Sequence, residues 1–216
     1  STPIKSSAAS DVYKRQITYI VDDAYLVTEY LKYRYPTLNI SIFSHSMGTL
    51  VSRNYLKKYE KHIEKIVLCG PPTENKLVDL ALFAGKLTGL FYKEHKPNKI
   101  LNRLSVGYYN KGYKTENEWI CSNLQTVYEY NTDPLCGFTF TTSGFMNLFQ
   151  LLKSAFIKED WIPQNSSLPI FLIAGVDDPV IQGKQKFNEL EEFLKEVGYE
   201  NIKSKLYKDK RHELLN

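Results

Sequence analysis

"SIFSHSMGTL", Ser41 to Leu50, decides how the chain is read. A short apolar run with Ile40, Ile42 and Phe43 stops at a serine-rich turn. A helical pattern follows, with Leu50, Val51, Tyr55 and Leu56 on one face and Lys57, Lys58 and Lys61 near its end. In a strand–turn–helix elbow the residues two before and two after the central one must be small, because a larger side chain would meet the neighbouring strand or helix. Ser44 and Gly48 meet that condition around Ser46. The elbow lifts the serine hydroxyl above the sheet edge and sets it at a helix N-terminus, where the Met47 amide can donate to a developing oxyanion. This is the G-x-S-x-G nucleophile pattern with Ser44 in place of the first glycine. Ser46 is therefore a candidate nucleophile, and the pattern taken alone also fits an ordinary helix N-cap serine.

Outward from the elbow the rhythm is regular. "VDDAYLVTEYLKYRY" has near-helical spacing of Val21, Ala24, Tyr25, Leu31 and Tyr35; Asp22 and Asp23 favour a helix start there, and Pro36 ends it. "EKIVLCG" reads as an apolar strand closing on Gly70, Pro71 and Pro72. The alternation resumes with the buried strand of "LPIFLIAGVDDP", the helix "KQKFNELEEFLKEVG" and a last strand and loop in "IKSKLYKDKRHELLN". Between them, residues 71–166 look helical, including "KLVDLALFAGKLTGLFYKEH" and "FMNLFQLLKSAF". The expected fold class is α/β: a partial, mostly parallel sheet with flanking helices over 17–70 and 167–216, interrupted by a helical cap at 71–166.

The first stretch stands apart. "SSAASDVYKRQ", Ser6 to Gln16, matches residue for residue the translation of a transposon adapter used in DNA sequencing, and "STPIK" fits the flanking primer in the same frame. Residues 1–16 are therefore expected to be a sequencing-adapter artefact and are set aside from the fold.

Composition narrows the function. The 216 residues are 43% hydrophobic and 24% charged with a net charge of +4, an ordinary globular balance able to bury one sizeable core. Lys and Arg are scattered, so no nucleic-acid partner is expected. Cys69, Cys121 and Cys136 have neither metal-ligand spacing nor the even count of a disulfide framework, which makes a reducing, cytoplasmic location the default. No apolar run reaches membrane-spanning length.

A nucleophilic serine needs a base and an acid. Of the four histidines, His45 lies inside the elbow and is expected to point away from the Ser46 hydroxyl. His62 is expected in a solvent-exposed loop, and His95 lies in the insertion, before the proposed acid. His212 follows the final strand, where a general base is required. For the acid, "AGVDDPV" follows a buried strand. Asp178 is favoured over Asp177 because it stands directly before Pro179, which helps fix the turn, while Asp177 also fits as a turn residue.

"HSMGTLVSRNYL", "DPLCGFTFT", "LPIFLIAGVDDPV" and "YKDKRHELLN" together resemble the monoacylglycerol lipase/lysophospholipase group of α/β-hydrolases, also labelled serine aminopeptidase-like, over nearly all of residues 17–216. The resemblance implies Ser46 as nucleophile, Asp178 as acid, His212 as general base and Met47 as the residue whose amide forms half the oxyanion hole. It implies cleavage of carboxylic esters with apolar acyl groups, of the monoacylglycerol or lysophospholipid type, through an acyl-enzyme, with no cofactor or metal. The partner is then a small ester or lipid, with transient contact to a membrane surface through the cap. Leu80, Leu82, Phe83, Leu87, Leu90 and Phe91 are candidate tunnel-lining residues, though a helix face packed on the core explains them as well. Glu94, Glu116, Glu118 and Glu159 are expected at the surface and Cys69 in the core. The family's His-Gly oxyanion loop and first strands would lie upstream of Ile17, and its last helix beyond Asn216. A serine aminopeptidase-like peptidase and an inactive truncated scaffold are the alternative readings.

Overall fold

The computed structural model describes residues 4–89 and 96–216, with side chains described from Gln16 onward. His95, Leu90, Phe91 and Glu94 lie outside the described residues. The chain runs α1 (Ile4–Arg34), β1 (Ser41–His45), α2 (Met47–Tyr59), β2 (Lys65–Cys69), α3 (Val78–Gly89), α4 (Lys99–Leu104), α5 (Leu124–Thr132), α6 (Thr142–Ala155), β3 (Ile170–Gly175), α7 (Lys184–Glu196) and β4 (Ile202–Tyr207). The four strands form one parallel sheet in the order β1-β2-β3-β4, with His45 opposite Cys69, Ile66 opposite Ile170 and Gly175 opposite Tyr207.

β2 and β3 are short and apolar because the sheet is covered there by helices on both faces, whereas β4, at the sheet edge, exposes Lys203, Ser204 and Lys205. Ile66 and Leu68 of β2 and Ile170, Leu172 and Ala174 of β3 are buried with Tyr55 and Leu56 of α2 and Phe187, Leu190 and Leu194 of α7. Buried polar groups stitch the loops to this core. The Glu60 carboxylate accepts from the Tyr199 hydroxyl at 2.5 Å and from the Asn165 amide at 2.8 Å. Arg53, fully buried on α2, donates to the Pro72 carbonyl at 2.7 Å and lies over the Phe156 ring. Burial lowers its pKa to about 9. The bond to Pro72 pins the segment by which the chain leaves β2 for the cap.

Two expectations about the helices are corrected. α1 does not begin at Asp22 but runs back to Ile4, since no glycine or proline interrupts the chain between Ile4 and Pro36. Asp22 instead accepts from the Tyr59 hydroxyl at 2.7 Å and pairs with Lys58. His62 is not a solvent-exposed loop residue: it packs edge-on against Tyr25, with Lys32 and Glu29 beside its ring. Within the insertion, α6 serves both halves of the fold. Phe145, Met146 and Phe149 join Leu82 and Leu101 in a cap cluster, while Leu151 and Ala155 pack on Leu50 of α2.

Candidate active site

The structure brings the three sequence-predicted residues to the C-terminal end of the parallel sheet, where open α/β folds place their ligands. Ser46 occupies the single-residue turn between β1 and α2. Its amide donates to the Cys69 carbonyl at 3.0 Å, continuing the β1–β2 ladder, and its carbonyl accepts from the Thr49 amide as α2 begins. Joining a strand to a helix over one residue forces φ to 54° and ψ to −124°, a left-handed conformation that a serine adopts only under strain. No side-chain capping bond forms, so Ser46 is not an N-cap serine in the ordinary sense. Met47, the first residue of α2, carries one of the amides that a helix start leaves unpaired.

Asp178 ends the β3 turn and His212 follows β4, and both are buried, at 2% and 3% exposure. His212 Nδ1 lies 2.9 Å from Asp178 Oδ2. A carboxylate only accepts, so Nδ1 carries the proton and Nε2 is left with a free lone pair. The other carboxylate oxygen, Oδ1, accepts the Val180 amide at 2.9 Å, so both Asp178 oxygens are fixed. Asp177 is exposed, and only its backbone engages the base loop, its amide donating to the Lys210 carbonyl at 3.0 Å. Among the described residues the Ser46 hydroxyl makes no hydrogen bond to the His212 imidazole.

Two glycines make room for the pair. A Cβ on Gly70, at φ 55°, would lie 2.9 Å from His212 Nδ1 and 3.2 Å from Asp178 Oδ2. A Cβ on Gly175 would lie 2.1 Å from the Lys210 carbonyl oxygen, so the base-bearing loop rests directly on the end of β3.

The cap holds that loop from the other side. Arg211 donates to the carbonyls of Glu118 (2.6 Å) and Cys121 (3.0 Å), pairs with the Glu118 carboxylate at 3.3 Å, and lies over the Tyr113 ring. The Glu213 amide donates to the Ile120 carbonyl at 2.7 Å. Glu118 is thus not a surface residue, as expected, but a half-buried partner of the residue next to the base. Glu116 and Glu159 are exposed. Cys69 is buried, and desolvation pushes its thiol up to about 12, which keeps it an inert core group.

A cavity of about 940 Å³ opens beside the elbow. Ser46 and Met47 form part of its wall; Val78, Ala81, Ala84, Leu101, Phe140, Leu148, Phe149 and Leu152 line it from the cap, together with Tyr108, Tyr109, Tyr113 and Trp119. The tunnel expectation is corrected here. α3 turns Val78, Ala81 and Ala84 to the cavity, whereas Leu82 (7% exposed) packs in the cap cluster and Leu80, Phe83 and Leu87 face outward at 61%, 58% and 47%. Phe140, from "DPLCGFTFT", lines the cavity, while Leu135 and Phe138 of the same stretch are exposed.

A parallel sheet with a helical insertion, a strained serine elbow and a hydrogen-bonded Asp–His pair at the strand ends define an α/β-hydrolase. The chain belongs to the family described as Serine aminopeptidase, S33, whose profile matches residues 6–216. Among solved structures it is similar to a thermostable carboxyl esterase from Bacillus coagulans in complex with glycerol, at 25% identity and a TM-score of 0.80. That match covers 91% of this chain and 64% of the esterase. Monoacylglycerol lipases share the fold: one from Paleococcus ferrophilus (19% identity, TM-score 0.58, covering 91% of this chain and 67% of that one) and one from Saccharomyces cerevisiae (15%, 0.60, covering 91% and 61%). The chain thus spans about two thirds of the length of these enzymes. No curated protein sequence matches it.

Proposed function

We propose that the full-length protein is a serine hydrolase of carboxylic esters with apolar acyl groups, of the monoacylglycerol or lysophospholipid type. The observation that carries this reading is the buried Asp178–His212 bond, with the His212 ring packed on His45, the residue before Ser46, and Ser46 itself in the wall of a mainly apolar cavity. In the reaction Ser46 Oγ attacks the ester carbonyl carbon and His212 Nε2 takes the hydroxyl proton. The tetrahedral oxyanion is held by the Met47 amide at the start of α2. As the C–O bond breaks, His212 returns the proton to the leaving alcohol; water then attacks the acyl-serine by the same route. Asp178 keeps Nδ1 protonated and stabilises the imidazolium. No cofactor takes part.

The apolar cavity wall supports an apolar acyl group. The outward stripe Leu80, Phe83 and Leu87 of α3, with the exposed Lys86 on the same helix, supports transient docking on an anionic membrane surface. No described helix is long and apolar enough to cross a membrane. We place the enzyme in the cytoplasm on its unpaired cysteines.

The test uses the full-length protein with a fluorophosphonate probe and a panel of monoacylglycerols, lysophospholipids and aminoacyl amides. Ser46→Ala is expected to abolish labelling and lower ester turnover by about three orders of magnitude or more. Labelling that survives would place the nucleophile elsewhere, and preference for the aminoacyl amides would make the enzyme a peptidase.

A further inference from the structure

His45, the residue before the elbow serine, does not simply point away into structure. Its Nε2 lies 3.0 Å from the backbone carbonyl oxygen of His212, and its ring centroid is 4.4 Å from the His212 ring. A carbonyl only accepts, so Nε2 carries the proton and donates. The bond joins residues 167 apart in sequence, and each end belongs to a catalytic element of the reading above: His45 is covalently bonded to Ser46, and the acceptor belongs to His212 itself. The contact thereby fixes the spacing between the two parts of the site that must exchange a proton.

The need for such a contact is visible in how the two halves are held. Ser46 sits in a strand ladder and at a helix start, so its backbone is set locally. The base loop lies beyond β4, outside any helix or strand. Its imidazole is anchored at Nδ1 by Asp178, and the loop is tied to the cap through Arg211 and the Glu213 amide and to the β3 turn through the Asp177 amide. The His45 bond to the His212 carbonyl adds a tie to β1, the strand that leads into Ser46. On its far side the His212 ring meets Trp119 from the cap, at 5.3 Å between centroids.

We infer that His45 is a positioning residue, which sets the distance from Ser46 Oγ to His212 Nε2 through its hydrogen bond to the His212 carbonyl. The inference rests on the serine-hydrolase reading. It agrees with the charge environment: burial, then the neighbouring His212, lowers the His45 pKa from 6.5, against the opposing pull of its bond to the His212 carbonyl and of Glu213 and Asp178. His45 is therefore neutral at neutral pH and places no positive charge beside the base.

The test compares three variants of the full-length protein on p-nitrophenyl butyrate. Glutamine carries an N–H to about the position of Nε2; asparagine carries the same amide one methylene short; leucine has none. His45→Gln should keep kcat within a few-fold of the parent, whereas His45→Asn and His45→Leu should lower kcat about 10- to 100-fold with KM nearly unchanged. The rate of fluorophosphonate labelling at Ser46 should fall in parallel. Equal kcat for the Gln and Asn variants, or a Leu variant as fast as the parent, would overturn the inference. If His45→Leu does not fold, the Gln–Asn pair still decides. Ser46→Ala in the same assay separates the two claims, since activity surviving that change would defeat the hydrolase reading and not the contact alone.

Discussion

The core and the cap of this molecule use apolar residues in opposite ways. In the core, strand residues such as Leu68, Leu172 and Ala174 are fully buried, and both oxygens of the buried Asp178 carboxylate are partnered, by His212 and the Val180 amide. In the cap, apolar residues are divided among small clusters, the cavity wall and an outward face. The three candidate catalytic side chains come from the core, while most of the cavity lining comes from the cap. The two halves meet at the loop of residues 210–213, which rests on Gly175 and is gripped by Glu118, Ile120 and Cys121. On the proposed serine-hydrolase reading, chemistry and selection are carried by separate packing units, and one loop is common to both.

That division orders the effects of substitution. The largest outside Ser46 belongs to the acid. Asp178→Asn keeps the shape, but with its oxygen held by the Val180 amide its NH2 faces Nδ1 and donates, which forces the wrong tautomer, and turnover of a soluble ester should fall about 10³- to 10⁴-fold. Asp177→Asn, at an exposed site, should leave it within about two-fold. A reversal measured by steady-state kinetics would move the acid role to Asp177 and break the assignment of all chemistry to buried core residues.

An intermediate effect belongs to the shared loop. Arg211→Met keeps much of the side-chain length but removes two bonds to carbonyls and the pair with Glu118. Bonds from a charged donor are worth about 1.5–3 kcal/mol each where buried, and less at this partly exposed site. Turnover should fall about ten-fold, with thermal unfolding a few degrees lower. A variant with lowered stability and unchanged kcat would show that the cap steadies the fold and not the base.

The smallest effect belongs to the cap's outer face. Phe83→Glu should leave hydrolysis of soluble p-nitrophenyl butyrate unchanged and reduce hydrolysis of monoacylglycerol in anionic vesicles several-fold, with weaker vesicle binding in co-sedimentation. Equal loss on both substrates would mean that Phe83 supports the cavity, and the separation of docking from chemistry would fail.

Much of the core was legible because its signals are local. β2 and β3 are short apolar runs, and α2 and α7 show one buried stripe each, so the alternation of strands and helices could be read locally, while Ser46, Asp178 and His212 were singled out by the elbow pattern, their order along the chain and the family resemblance. The cap was less legible. α3 is apolar on more than one side, so periodicity shows that a face exists without showing which face looks at the cavity; the small residues Ala81 and Ala84, not the bulky leucines, turned out to border it. Glu118 and His45 were missed for a different reason. Their partners, Arg211 and the His212 carbonyl, lie 93 and 167 residues away, and no spacing rule reaches that far. A histidine beside a nucleophilic serine was the available signal, and its meaning depended on a loop at the other end of the chain.

The backbone of Ser46 carries a further consequence. A serine at φ 54° and ψ −124° stores about 1–3 kcal/mol that a glycine would not. Folding and turnover therefore pull on the same position in opposite directions. Random change selected for heat resistance alone would drift toward glycine there and return a sturdier, silent protein. On the proposed serine-hydrolase reading, the hydroxyl persists because its chemistry is rewarded, and the strain is the cost of keeping it there.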